Sequence, residues 1–511
     1  MAGTFTRREF IKRAGAAALV MSAAPRDDGV NVLFLMTDQQ HHRALSAAGN
    51  RVIQTPNLDR LAREGVRFTN ACCATPFCSP TRASLVTGLW PHRHGINSNV
   101  QRGQKGLTPD FTLTEGLLHD RGAVCHHRGK WHLGDTRVHP CYAGDVDPAP
   151  NYLRYLDEHV PADQFPSKPN QARLWRRPVD MLPFMYEAHL RWNQMANTPR
   201  QDLSIIGRLS SPPPHTMASW VADKVVELVE QNAGRRFMIT CSISDPHAYW
   251  VAPDPYYSMY DRETVPLGES GTGASLHHCP RHYQAVMPHR LGMTIGDEGI
   301  REYVAVYYGM VSQVDWCFGK ILDRLDALGL ADNTLVVFTA DHGDMQGGHG
   351  MVGKSLPACY EEIVRVPLIF RLPGVIPAGR VVRAHANSVD VMPTILDYAR
   401  IPIPADIDGA SLRPFIEGRG GGDRAFGFSE RTGGGGKFIQ RMIRTHEWKY
   451  VYNSKHWPCQ LFHLATDPDE MVNRIDDPKC RGVLKRLHKR LAGWMEETSD
   501  PHIDLLQPPW A

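Results

Sequence analysis

Three short apolar runs in this chain each stop at an aspartate. Asn31 to Met36 (NVLFLM) gives way to Thr37-Asp38-Gln39-Gln40, Phe237 to Ile243 to Ser244-Asp245-Pro246-His247, and Thr334 to Thr339 to Ala340-Asp341-His342-Gly343. Runs of this length, apolar and partly β-branched, read as strands buried on both faces. Helical periodicity fills the intervals, at Met217 to Gln231 and Ile300 to Leu328, and Thr55-Pro56 opens a further helix through Leu58 and Leu61 to Gly65. Strands alternating with helices predict an α/β fold with a mostly parallel sheet. Such sheets bind ligands beyond the carboxyl ends of their strands, so these Asp and His residues are expected to converge there.

The 511 residues suffice for a large core, and 57 Lys+Arg against 54 Asp+Glu leave a net charge of only +3. Charge therefore argues against a nucleic-acid wrapper or a polybasic membrane binder. Gly 44 and Pro 38 stay below the ~25–30% of low-complexity chains. Eleven cysteines make an odd count, so at least one is outside any disulfide. Residues from about 140 to 215 are rich in Pro, Arg and aromatics and read as a long insertion over the sheet edge. The main domain spans 29–410. Beyond it, 411–511 carries glycine stretches, a hairpin of Ile439 to Arg444 and Trp448 to Tyr452, and a helix near Leu484 to Met495, which predict a smaller C-terminal antiparallel-sheet domain.

Thr6-Arg7-Arg8-Glu9-Phe10-Ile11-Lys12, the apolar stretch Ala14 to Met21 and the small residues Ser22 to Ala24 resemble a twin-arginine export signal over 1–24. That resemblance implies a periplasmic or secreted protein, exported after folding. An amphipathic first helix is the competing reading. No other stretch reaches the ~20 apolar residues of a membrane span.

The most specific motif is Cys78-Ser79-Pro80-Thr81-Arg82, followed by Ala83-Ser84-Leu85 and Thr87-Gly88. It resembles the C-x-P-x-R signature of type I, formylglycine-dependent sulfatases of the alkaline phosphatase superfamily. Gly129-Lys130-Trp131-His132-Leu133-Gly134 resembles that family's second signature, and Asp245-Pro246-His247, Asp341-His342-Gly343, Lys354 and Leu461-Phe462-His463-Leu464 match in type and order. The resemblance implies a large alkaline-phosphatase-like, mostly parallel sheet flanked by helices, with a smaller C-terminal α+β domain.

It also implies chemistry. The sulfur of a sulfate monoester is shielded by negative oxygens, so attack needs a strong nucleophile and neutralising cations, as in phosphoryl transfer. In the family the cysteine is oxidised by a formylglycine-generating enzyme. One hydroxyl of the hydrated aldehyde attacks sulfur, and collapse of the resulting hemiacetal releases sulfate. By resemblance Cys78 is nucleophile and metal ligand, and Arg82 holds and polarises it. Asp38, Asp341 and His342, with Gln39 where many relatives carry a second Asp, bind one divalent cation. Calcium is expected first; His342, standing where numerous relatives carry Asn, brings in Mn²⁺ or Mg²⁺. Lys130, His247 and Lys354 line the sulfate, with His247 or Lys354 protonating the leaving oxygen, and His132 assists the collapse.

Each residue also has a structural reading: helix N-capping for Asp38 and Asp341, solvated charges for Lys130 and Lys354, hydrogen-bonded support for His132, His247 and His342. His92, His94 and His349 are expected to pack. The same residues would serve a phosphonate monoester or phosphodiester hydrolase of the superfamily, and a silent binder of sulfated glycans is a third possibility. The expected substrate is a sulfated small molecule or saccharide, cleaved exo-fashion, with Arg173, Trp175, Arg176, Arg177, His277, His278 and His289 as subsite candidates. Oligomeric state is left open.

Overall fold

The computed structural model describes residues 29–101, 104–135, 149–159, 206–209, 211–267, 287–354, 359–420, 424–455 and 457–510. The export-signal segment, most of the insertion with its Arg/Trp group, His277, His278 and the side chain of His289 lie outside the described residues.

Seven strands form the main sheet: β1 (Asn31–Thr37), β2 (Val66–Cys72), β3 (Val124–Gly129), β5 (Phe237–Ile243), β7 (Thr334–Ala340), β8 (Leu368–Arg371) and β9 (Arg380–Asn387). Between them in sequence, β4 (Ile206–Leu209) and β6 (Trp250–Pro253) pair in a separate two-stranded sheet. The main order is β3-β5-β1-β7-β8-β2-β9, parallel except that β8 runs against both neighbours. All seven residues of β1, β5 and β7 are buried, which is why these strands read as continuous apolar runs. Their side chains alternate between two cores: Val32, Phe34, Leu335 and Val337 on one face, Leu33, Leu35, Val336 and Phe338 on the other.

The helix Pro56–Glu64 begins at its proline, and Met217–Gln231 matches the expected bounds. The expected helix from Ile300 is longer, Met287–Ala327, and breaks at Gly296, whose φ of 63° is not helical. A glycine there supplies a backbone conformation that other residues enter only at a cost. No described helix is long and apolar enough to cross a membrane.

The C-terminal part is a four-stranded antiparallel sheet, β10 (Gly427–Gly433), β11 (Phe438–Arg444), β12 (Trp448–Asn453) and β13 (Gln460–His463), covered by the helix Arg481–Glu497. Leu484, Leu487, Leu491 and Trp494 pack on Ile439, Ile443 and Tyr450, and the same core takes in Ala74, Trp90 and Val389 from the main part. The two parts thus share apolar packing.

Candidate active site

Sheet register gathers the site. Thr37 sits opposite both Ile243 and Ala340, and Gly129 opposite Ser242, so Asp38, Asp341 and Lys130 all emerge at one sheet edge. Gly129, at φ 97°, is required at its turn: a Cβ there would lie 1.9 Å from the Ser242 carbonyl oxygen. Cys78 opens the ten-residue helix Cys78–Thr87, whose first residues are buried beneath that edge. Its amide end favours negative charge at Cys78.

Around the Cys78 sulfur stand Lys354 Nζ at 2.8 Å, His342 Nε2 at 3.2 Å and Asp38 Oδ1 at 3.7 Å. Burial alone would raise this thiol, but Lys130, Lys354 and His342 override it and hold Cys78 well below the ordinary thiol range. The contrast is with Cys72, pushed up by burial to about 11, and Cys125 and Cys359, to about 12. No disulfide occurs among the nine described cysteines.

Arg82 is wholly enclosed and spends its guanidinium on the carboxylates. Nε donates to Asp341 Oδ2 at 2.8 Å, Nη2 to Asp38 Oδ2 at 3.1 Å, and Nη1 to the Lys130 carbonyl and Ser242 Oγ at 2.7 and 2.8 Å. Its hydrogen bonds orient the residues around Cys78 and do not reach Cys78 itself. Lys130 Nζ also donates to Asp38 Oδ2. Burial and the adjacent Cys78 oppose ionisation of Asp38, yet Lys130 and Arg82 hold its carboxyl far below the usual range. With Oδ2 so occupied, Oδ1 is the oxygen turned to Cys78.

The donor set fits a divalent cation. One donor atom each from Asp38, Cys78, Asp341 and His342 lies within 4.8 Å of the others, and all four residues are buried. His342 Nδ1 is 2.8 Å from the Gly343 carbonyl, so Nδ1 carries a proton and Nε2 is the nitrogen turned to Cys78. Gln39 gives its side-chain nitrogen to Asp344 Oδ2 at 2.6 Å, so the amide oxygen is the end left for a cation. Its backbone N–H donates to Asp341 Oδ1. Gln39 and His132 both hold left-handed backbone, φ 67° and 60°, strain that non-glycine residues carry mostly where surrounding contacts impose it.

Asp245 does not join the donor group; the loop after β5 contributes His247 instead. His247 Nδ1 is 2.8 Å from the Ala248 carbonyl and Nε2 is 3.3 Å from Lys354 Nζ. Burial, then Lys354, lowers its pKa, so the ring is neutral. The three histidines expected to pack do so: His92 joins Glu430 to the Thr498 carbonyl, His94 bonds Ser84, and His349 stacks on Tyr360.

Sequence reasoning missed Asp344, Ser242 and Tyr303. Tyr303 Oη donates to Asp344 Oδ1 at 2.5 Å, completing the clamp on Gln39. Asp344, two residues past His342, was the legible one; the other two are brought in by folding alone.

Among known proteins, residues 347–497 match the family model of the N-sulphoglucosamine sulphohydrolase C-terminal region. The chain is 28% identical to the uncharacterized sulfatase YidJ of Escherichia coli (strain K12), covering 92% of this chain and 88% of that one. It is 27% identical to an N-acetylglucosamine-6-O-sulfatase of Bacteroides thetaiotaomicron, over 96% and 90%. A phosphonate monoester hydrolase from Silicibacter pomeroyi superposes with a TM-score of 0.76 at 25% identity, over 93% of this chain and 96% of that one. Residues 30–401, which hold every side chain gathered around Cys78, match the sulfatase family model, and the chain belongs to the sulfatase family of enzymes.

Proposed function

We propose that the protein hydrolyses a sulfate monoester to an alcohol and inorganic sulfate, using Cys78 after its oxidation to formylglycine by a formylglycine-generating enzyme. The observation that carries this reading is the surroundings of Cys78: a buried thiol with Lys354 Nζ at 2.8 Å and His342 Nε2 at 3.2 Å. Its sulfur marks where the oxygens of the hydrated aldehyde would stand. That hydrate, once formed, supplies the nucleophilic oxygen and spares the enzyme a separate hydrolysis of an enzyme sulfate ester.

Lys130 and Lys354 offer their ammonium groups to the sulfate oxygens, where the low-dielectric setting strengthens them. Lys354 and neutral His247, 3.3 Å apart, share a proton and stand ready to deliver it to the leaving oxygen. In this reading His132, whose carbonyl accepts from Ser79 Oγ at 2.6 Å next to Cys78 in the chain, takes the proton from the group at position 78. A divalent cation among Asp38, Gln39, Asp341, His342 and the matured Cys78 side chain would supply Lewis acidity toward a sulfate oxygen. The carboxylate and amide oxygens favour Ca²⁺, with Mn²⁺ or Mg²⁺ second because of the imidazole.

We read the substrate as a sulfated saccharide cleaved exo-fashion, which the likeness to the N-acetylglucosamine-6-O-sulfatase supports, and the site of action as the periplasm or exterior. A second reading, phosphonate monoester hydrolysis, is favoured by the likeness to the Silicibacter enzyme. Turnover of 4-nitrophenyl sulfate beside a phenylphosphonate monoester and an aryl phosphodiester separates them. The account expects the highest kcat/KM for the sulfate; a higher value for either phosphorus ester would overturn it. A panel of sulfated saccharides with choline sulfate tests the substrate class, and activity confined to choline sulfate would reject the saccharide.

A further inference from the structure

We infer a second oxyanion-binding site, in a cavity of about 520 Å³ walled by the loops that follow β1 and β7 together with residues of β2 and the approach to β8. None of the side chains gathered around Cys78 is among its described lining residues. The lining is cationic in excess. Arg43, Arg51, Arg67 and Arg365 face two carboxyl groups, Asp469 and Glu362. Asp469 is taken by Arg43 at 3.1 Å, and burial raises Glu362 to about 7, so it is only partly ionised near neutral pH.

Two guanidiniums have no partner among the described residues. Neither Arg51 nor Arg67 makes a side-chain hydrogen bond or ion pair with any described residue, although Arg67 is partly buried. Arg365 bonds the Thr69 carbonyl and Glu361 through its terminal nitrogens, while its Nε is buried and unpaired. His42 is the independent sign of a ligand: it is 92% buried, being 8% exposed, lines the cavity, and both ring nitrogens lack a hydrogen-bond partner among the described residues. Buried polar groups are rarely left so. Burial and Arg365 keep this ring neutral, so one nitrogen carries a proton that no described residue accepts.

Guanidiniums with an imidazole N–H suit a sulfate or phosphate group through paired, charge-assisted hydrogen bonds. The cavity has room for more than a lone tetrahedral ion, so the group is either free in solution or carried on a small hydroxylated molecule.

Equilibrium dialysis of metal-loaded protein against inorganic sulfate at low ionic strength tests the site. Arg51→Ala/Arg67→Ala should bind one sulfate fewer per chain than the native protein while turning over aryl sulfate at an unchanged rate. Arg51→Glu, on an exposed side chain, should weaken the same site at least 10-fold if the double variant fails to fold. An unchanged count and affinity in these variants would overturn the assignment. Glucose 6-phosphate distinguishes the sources: displacement of the extra sulfate assigns the site to sugar-borne anions, and failure to displace it assigns the site to the free inorganic ion.

Discussion

Position 78 is decided by its neighbours more than by its own chemistry. Cysteines elsewhere in the cores are made inert by burial, whereas this one has Lys354, Lys130 and His342 drawing it toward the anion. Arg82 holds the arrangement open by pinning Asp38 and Asp341, two enclosed carboxylates that would otherwise repel. Arg82→Met should therefore cost about 3–5 kcal/mol in denaturant unfolding of the metal-free protein. A loss below about 1 kcal/mol would show that the carboxylates find other partners. Asp344 acts one step further out, through Gln39. Asp344→Asn should lower divalent-cation affinity about 10–100-fold in calorimetric titration, with little change in metal-free melting temperature. An unchanged affinity would remove Gln39 from the ligand set.

Among the elements, those with the strongest apolar signal were legible. β1, β5 and β7 are buried on both faces, so their runs are unbroken and end where the chain meets the site. The motifs marked nearly all the residues that converge, because each sits within a few positions of a strand end or helix start. The target of Arg82 was not legible, since it depends on Asp38 and Asp341 arriving 44 and 259 positions away in sequence. Nor was the antiparallel direction of β8, which four residues cannot signal. The short helix Pro91–His94 shows how elements join: His92 Nδ1 lies 2.7 Å from Glu430 Oε2 on β10, beside Arg441 and Asp500. Burial opposes protonation of His92, but Glu430 and Asp500 outweigh it and raise its pKa above 6.5. A raised folded-state value means stability fully present below about 6.5 and lost as pH rises through the folded value. Native protein should exceed His92→Gln by about 1–3 kcal/mol near pH ~6, narrowing by pH ~9. A gap that widens with pH would contradict this.

At the scale of the whole molecule, near-neutral net charge conceals strongly local fields. The cluster at the sheet edge sets Arg82, Lys130 and Lys354 against two carboxylates, and the cavity beside it collects further guanidiniums. The leader reading belongs to this scale too: Arg7→Lys/Arg8→Lys should leave folded, Cys78-modified precursor in the cytoplasm, as a twin-arginine signal requires. Normal export of that variant would reject it. The central claim is that sulfate hydrolysis depends on the aldehyde at position 78. Its most direct test pairs peptide mass spectrometry of the segment around Cys78 with sulfate release from the same preparations, made with graded amounts of maturing enzyme. The account predicts a lighter, carbonyl-bearing peptide whose fraction is proportional to sulfate released, with Cys78→Ala at least about 10³-fold down; full activity from a wholly unmodified thiol would contradict it.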